Sequence, residues 1–238
     1  MFTHLTFFRQ RALIMALLAA AIVFILWNIP LLSGVLYPFR LFVTFVHESG
    51  HGIAALISGG EFGQMVLSSD GSGHALTSGG IRALILPAGY LGAALFGAVL
   101  FYLTNTVPFP RTIAIVLGGL VGIVTLLYTQ PLTLAFFVGL GMALALVALW
   151  RFADRGITML ALNVLAIITG LNALFDLITL TRIADLGGGI GRNDAAAFSA
   201  QVAPVLPASG WALVWAALSV AILAGAIYLA FLRRRVRP

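Results

Sequence analysis

The hydrophobic pattern of this chain consists of long apolar runs separated by short polar breaks. A helix that crosses a hydrocarbon core of about 30 Å needs about 20 apolar residues, and by this measure the sequence predicts about seven transmembrane helices. The predicted spans cover residues 12–37, 41–58, 81–103, 112–128, 132–150, 157–181 and 211–232. The second of these is short, and polar residues interrupt it.

Two of the breaks are predicted to carry structure of their own. Residues 59–80 are rich in Gly and Ser and favour a loop or short hairpin between the second and third spans, with strand character at 64–68. Such backbone is tolerated at membrane depth only where protein or a water-filled cavity covers it. In the polar connection after the sixth span, Asn193 or Asp194 is expected to cap a short helix through Gln201, and the glycine-rich run 186–191 is expected to be a turn.

Composition agrees with an all-α integral membrane protein. Of the 238 residues, 61% are hydrophobic and only 8% are charged, whereas a soluble domain carries about 25% charged residues. We expect one membrane-embedded domain over 1–238, with a core at about 38–205, an N-terminal anchor helix at 12–37 and a C-terminal helix at 211–232 before a basic tail. The expected setting is the cell membrane of a prokaryote, with the lipid bilayer as a partner.

The net charge of +6 does not indicate nucleic-acid binding, because the basic residues lie at the ends of the apolar runs. Helix-end anchoring and contact with lipid head groups explain that placement. Arginines near both termini favour a cytoplasmic position for each, whereas an odd number of spans places the termini on opposite faces. The sequence leaves this conflict, and the oligomeric state, open.

Candidate chemistry is concentrated in the second span, at His47, Glu48 and His51. The chain has no cysteine, so a metal site must use His, Asp and Glu. Residues four apart on a helix face the same way, and two imidazoles at that spacing suit Zn²⁺. Glu48 would lie beside the ion, where a carboxylate can act as a general base.

A catalytic zinc site needs a third protein ligand and an open position. Most other acidic residues fall in loops or at span ends, and Asp176 is the one within an apolar run. Asp176 is therefore the expected third ligand, although a packing carboxylate paired with Arg182 is the alternative. Asn172, one turn earlier, is a candidate for holding a substrate carbonyl, with polar packing between helices as the alternative. His74 lies in the loop region and is a further residue that could approach the metal.

These motifs resemble the site-2 protease family of intramembrane zinc metalloproteases, and within it a small branch without a PDZ domain. The matching segments are FVHESGHGIAALISGG, DGSG, AGYLGAALFG and LNALFD, and the resemblance extends over most of residues 41–194. The family pattern around the third ligand is Asn-x-x-Pro followed by Leu-Asp-Gly, whereas this chain has Asn172-Ala-Leu-Phe-Asp176-Leu.

The resemblance implies hydrolysis of peptide bonds in membrane-protein or membrane-peptide substrates. It also implies that a substrate helix unwinds and adds as a strand beside residues 64–68, which makes Gln64 and Val66 candidate substrate-binding residues. It further implies a site nearer the cytoplasm. Two other functions are compatible with the same residues: a zinc-dependent hydrolase of a non-peptide membrane substrate, and a metal-binding transporter.

Overall fold

The computed structural model describes residues 2–183 and 193–233. The run 186–191, for which a turn is expected, and the end of the basic tail at 234–238 lie outside the described residues. The described elements, in order, are α1 (Phe2–Asn28), α2 (Ser33–Ile57), β1 (Glu61–Leu67), β2 (Gly73–Ser78), α3 (Arg82–Thr106), α4 (Pro110–Tyr128), α5 (Leu134–Phe152), α6 (Arg155–Ile183), α7 (Asp194–Gln201) and α8 (Ala208–Ile227). A π-helical turn at Tyr228–Leu232 extends α8.

The prediction of an all-α, multi-pass membrane protein is confirmed, with one change in the number of spans. Six helices in the described part of the chain are long and apolar enough to cross a membrane, namely α1, α3, α4, α5, α6 and α8. The seventh expected span, at 41–58, lies within α2, which does not qualify. The expected first span at 12–37 is divided, because α1 ends at Asn28 and a 3-10 turn at Pro30–Leu32 precedes α2.

Helix α3 lies at the centre of the bundle and runs antiparallel to α6. Near the end of α3, Asn105 Nδ2 donates a hydrogen bond to Asn163 Oδ1 at 2.6 Å, and near its start Leu86 shares a buried cluster with Leu177. Between these contacts, Gly97 lies directly on the backbone of Ala166. A side chain larger than hydrogen at Gly97 would separate the two helices.

Helix α2 also packs antiparallel to α3, at very short range. Gly50 lies against the backbone of Ala88, where no Cβ would fit. At the end of α2, Ser58 Oγ accepts a hydrogen bond from the amide of Ile81 at 3.0 Å. This close approach places the histidine-bearing face of α2 next to the first two turns of α3.

The expected hairpin after α2 is confirmed. β1 and β2 are antiparallel, with Glu61 opposite Ser78 and Leu67 opposite Gly73. β1 is the inner strand: Phe62 is buried and its ring stacks on Tyr128 at 4.1 Å. The outer edge of β2 has no partner strand among the described residues.

Two hydrogen bonds fix the tip of the hairpin to α2. Tyr37 Oη donates to the carbonyl of Ser69 at 2.8 Å, and Thr44 Oγ1 donates to the carbonyl of Gly71 at 2.7 Å. β2 is therefore held alongside the part of α2 that carries Glu48.

The short helix expected through Gln201 is confirmed as α7. Its cap is Asn193, whose Oδ1 accepts a hydrogen bond from the amide of Ala196 at 2.7 Å. The ring of Phe198 packs on Trp211 and Trp215 of α8, with centroids 4.7 and 5.4 Å apart. These contacts hold α7 against the bundle instead of leaving it as a free connection.

Candidate metal centre

Three side chains from two separate elements converge on one point. Helix α2 contributes His47 and His51, and the first residue of α7 contributes Asp194. The two Nε2 atoms lie 3.0 Å apart, and Asp194 Oδ2 lies 3.1 Å from His47 Nε2 and 3.3 Å from His51 Nε2.

These distances match the edges of a small coordination polyhedron. Tetrahedral zinc with ligands at about 2.0 Å has ligand atoms about 3.3 Å from one another. The three donor atoms form a nearly equilateral triangle of that size, and they are two imidazole nitrogens and one carboxylate oxygen, a ligand set that zinc accepts. The residues present therefore fit a catalytic zinc ion with one open position.

The ring of His51 is oriented by a backbone carbonyl of α3. Its Nδ1 lies 2.7 Å from the carbonyl oxygen of Ile85. Since a carbonyl only accepts, Nδ1 carries the hydrogen, which leaves Nε2 as the nitrogen available for a cation. The ring of His47 is held differently, edge-on to Tyr90 with the centroids 4.5 Å apart.

Gly89 of α3 leaves space for a cation in front of the imidazoles. A Cβ at this position would lie against the Nε2 atoms of both His47 and His51. The space in front of the imidazoles is thus kept open by the absence of a side chain on α3.

Glu48 lies beside the three ligands and faces the hairpin. Its side chain is buried, and a Cβ on Gly73 would be 3.0 Å from Oε1. His74 is close enough to interact electrostatically with the Glu48 carboxylate. Glu48 is therefore next to the cation site without being one of the converging ligands.

A cavity of about 860 Å³ opens onto this constellation. Its lining includes Glu48, the three converging side chains and residues of α3, α6 and α7. The hairpin contributes residues 71–77, which belong to β2 and the turn before it. The unpaired edge of β2 therefore forms one wall of the cavity.

The electrostatics of Asp194 favour its ionised form. Burial raises the pKa of this carboxyl, but hydrogen bonding to His47 and His51 outweighs burial, so the pKa lies below its usual range. An ionised carboxylate is the form that coordinates a metal.

The structure brings some of the predicted residues together and separates others. Among the described residues, Asp176 does not belong to the cluster of converging ligand atoms; it lines the same cavity, within electrostatic range of His47. Asn172 is not part of the cavity lining, and its Nδ2 is buried with no hydrogen-bond partner in the described chain. Gln64 and Val66 lie on β1, opposite Leu76 and His74, and not on the cavity wall.

Asp194 is the member of the cluster that sequence reasoning did not select. It lies in a connection between spans, where an acidic residue is ordinary and carries no periodic signal. The available signal was the helix cap at Asn193, which predicts α7 and therefore a fixed direction for the residue that follows it.

Comparison with known proteins agrees with this description. The model of the Peptidase M50B-like family matches residues 15–226, a range that includes all the converging ligands and Glu48. Neither the curated proteins nor the solved structures contain a significant match. A multi-pass apolar bundle, a possible His/Asp metal site and this match lead to one assignment: the chain belongs to the Peptidase M50B-like family, within the site-2 protease family of membrane-embedded metallopeptidases.

Proposed function

We propose that this protein hydrolyses peptide bonds of membrane-protein substrates at a zinc ion held by His47, His51 and Asp194. The observation that supports the proposal best is the triangle of donor atoms with edges of 3.0, 3.1 and 3.3 Å, with Glu48 beside it. Asp194 is the third ligand in this proposal, whereas the sequence favours Asp176 in that role. The charge of a divalent cation is balanced by Asp194 and Glu48, as a buried site requires.

Each residue of the site has a separate part in the reaction. When bound, zinc polarises the scissile carbonyl and makes water a better nucleophile. Glu48 takes the proton of the attacking water and returns it to the leaving nitrogen. The hydrogen bond between His51 and Ile85 keeps the ligand nitrogen directed at the centre, and the buried surroundings limit access of bulk water.

The exposed edge of β2 supports a peptide over a lipid as the substrate. A peptide bond inside a helix is shielded, whereas an extended segment paired with a strand edge presents each amide in turn. A segment that adds to β2 would pass Glu48, because Gly73 lies against that carboxylate. The strand that supports substrate addition is β2, instead of the region 64–68 on β1.

The metal assignment is tested by the zinc content of detergent-purified protein. We expect about one zinc per chain in the wild type, in Glu48→Gln and in Asp176→Ala, and loss of zinc in His47→Ala and Asp194→Ala. Asp176→Ala is the matched control, since it removes a carboxylate from the same cavity. Zinc retained by Asp194→Ala and lost from Asp176→Ala would reverse the assignment of the third ligand.

The peptidase assignment is tested by mapping new amino termini in membranes that contain the protein. Membranes with wild type should yield cleavage products that membranes with Glu48→Gln lack, because loss of a general base lowers turnover by about 10²- to 10⁴-fold. If the two membranes give the same amino termini while lipid products differ, the substrate is not a peptide.

A further inference from the structure

Contacts between helix ends show which ends share one face of the bundle. At the start of α1, Arg9 Nη2 donates to the carbonyl of Phe231, at the end of α8, at 3.3 Å. Arg11 lies against Gly156 at the start of α6, and α1 then runs parallel to α6, since Trp27 packs on Phe175 at 5.1 Å. The starts of α1 and α6 and the end of α8 are therefore neighbours.

The remaining helices fit the same arrangement. Arg111, at the start of α4, donates hydrogen bonds to the carbonyls of Trp150 and Arg151, at the end of α5. The bond between Asn105 and Asn163 brings the end of α3 to the start of α6. We call this side the arginine-rich face, because it carries most of the described arginines: Arg9, Arg11, Arg111, Arg151, Arg155 and Arg233.

The opposite face has fewer cations. It contains the ends of α1, α4 and α6, the starts of α3, α5 and α8, and the base of the hairpin. Its described arginines are Arg82 at the start of α3 and Arg182 at the end of α6, with Arg40 on α2 close enough to interact with Asp176. The connection 129–133 has no charged residue. In the sequence, Arg234, Arg235 and Arg237 follow Arg233 directly, and Arg192 is the one further arginine, between α6 and α7.

Helix α2 and the hairpin connect two helix ends, those of α1 and α3, that lie on the same face. The end of α1 and the start of α3 both lie beside the second half of α6, through Trp27 with Phe175 and Leu86 with Leu177. The segment between them, α2 with the hairpin, therefore makes no net crossing. Six crossings place both termini on one face, and this removes the conflict between an odd number of spans and basic residues at both ends.

The metal centre lies close to the face that is poor in arginine. Gly89 is seven residues into α3 from Arg82, which is about 10 Å along a helix. The cavity reaches Gly79, Gly80 and Gln201, which lie at the hairpin base and the end of α7. The centre is thus reached from this side, on the opposite side of the bundle from the arginine-rich face.

Short loops rich in arginine stay in the cytoplasm during membrane insertion. We propose that the arginine-rich face is cytoplasmic and that the metal centre opens to the non-cytoplasmic side of the membrane. The position of the centre is then the reverse of the one that the family resemblance implies. Given the proposed function, the substrates are membrane polypeptides with an extended segment available on the non-cytoplasmic side, where it can pair with β2.

The absence of cysteine in the chain allows a direct test with single-cysteine variants and a membrane-impermeant maleimide. Gln130→Cys lies in the α4–α5 connection, and Thr77→Cys lies on the cavity wall. Gln10→Cys and Pro108→Cys lie on the arginine-rich face and are exposed. In intact bacterial cells that express full-length protein, we expect labelling of the first pair, and labelling of the second pair only after permeabilisation.

Two other results would overturn the proposal. The reverse pattern would place the centre on the cytoplasmic side, and different behaviour of Gln10→Cys and Pro108→Cys would contradict the six-crossing arrangement. Labelling requires neither metal nor activity. The same labelling pattern in an Asp194→Ala background would therefore show that the orientation holds whether or not Asp194 is a metal ligand.

Discussion

At the scale of single residues, glycine positions define the metal centre as much as its ligands do. Gly50 lets α2 approach the backbone of Ala88, and Gly73 lets the hairpin approach Glu48. Gly89 lies in front of the imidazoles of His47 and His51. Each of these contacts involves backbone or a functional side chain, so the structure has little freedom to adjust to a methyl group.

We predict that Gly89→Ala abolishes zinc binding, because its Cβ would occupy the space between the two Nε2 atoms. The matched control is Gly92→Ala on the same helix, whose Cβ would have its nearest contact at 3.4 Å, with the Cα of Gly50. Zinc content of the purified variants provides the measurement. Full occupancy in Gly89→Ala would show that the cation does not bind between the imidazoles.

At the scale of elements, the metal centre depends most on α7, because the first residue of this helix is Asp194. It is eight residues long, and helices of that length are marginal on their own. It is stabilised by the cap at Asn193, by the packing of Phe198 on α8 and by a hydrogen bond from Ser199 Oγ to the carbonyl of Leu206 at 2.7 Å. The direction of the Asp194 side chain therefore depends on α7 staying folded.

We predict that Asn193→Ala weakens zinc binding about fivefold, since loss of a helix cap costs about 1 kcal/mol. Asn193→Ser keeps a capping oxygen and should bind zinc nearly as well as wild type. Competition with a metal indicator would measure both affinities. Equal weakening in the two variants would mean that Asn193 acts by a route other than the cap.

At the scale of the whole molecule, a cation bound by His47, His51 and Asp194 would join α2 to α7, and through α7 to α8. These elements are far apart in sequence, so the ion would link the N-terminal part of the chain to its C-terminal part. A ligand that binds only the folded state stabilises it in proportion to its binding free energy, about 4 kcal/mol at a thousandfold excess over Kd.

We therefore predict that a strong chelator lowers the melting temperature of the wild type in detergent by about 10 °C, since a change of about 1 kcal/mol shifts the midpoint by about 2–4 °C in chains of this size. Glu48→Gln should show the same decrease, because it keeps the ligands. Asp194→Ala should melt at the same temperature with and without chelator. A chelator effect in Asp194→Ala equal to that of wild type would place the stabilising metal elsewhere.

The sequence by itself determined the features that depend on local pattern. Apolar runs of sufficient length predict the spanning helices, and the spacing of His47, Glu48 and His51 predicts two imidazoles on one side of a helix. Gly and Ser in 59–80 predict a loop or short hairpin, and Asn193 with Asp194 predicts the capped start of a short helix, α7. In each case the physical cause lies within about a dozen neighbouring residues, so no distant contact is needed to foresee it.

Only the tertiary structure decided which distant groups meet. Asp176 lies in an apolar helix and Asp194 in a connection, yet the packing of α7 on α8 directs Asp194, and not Asp176, to the imidazoles. Likewise, the burial of Phe62 makes β1 the inner strand and leaves the edge of β2 to the cavity. That the end of α1 and the start of α3 lie on one face depends on which half of α6 each of them contacts, and hydropathy carries no information about such contacts.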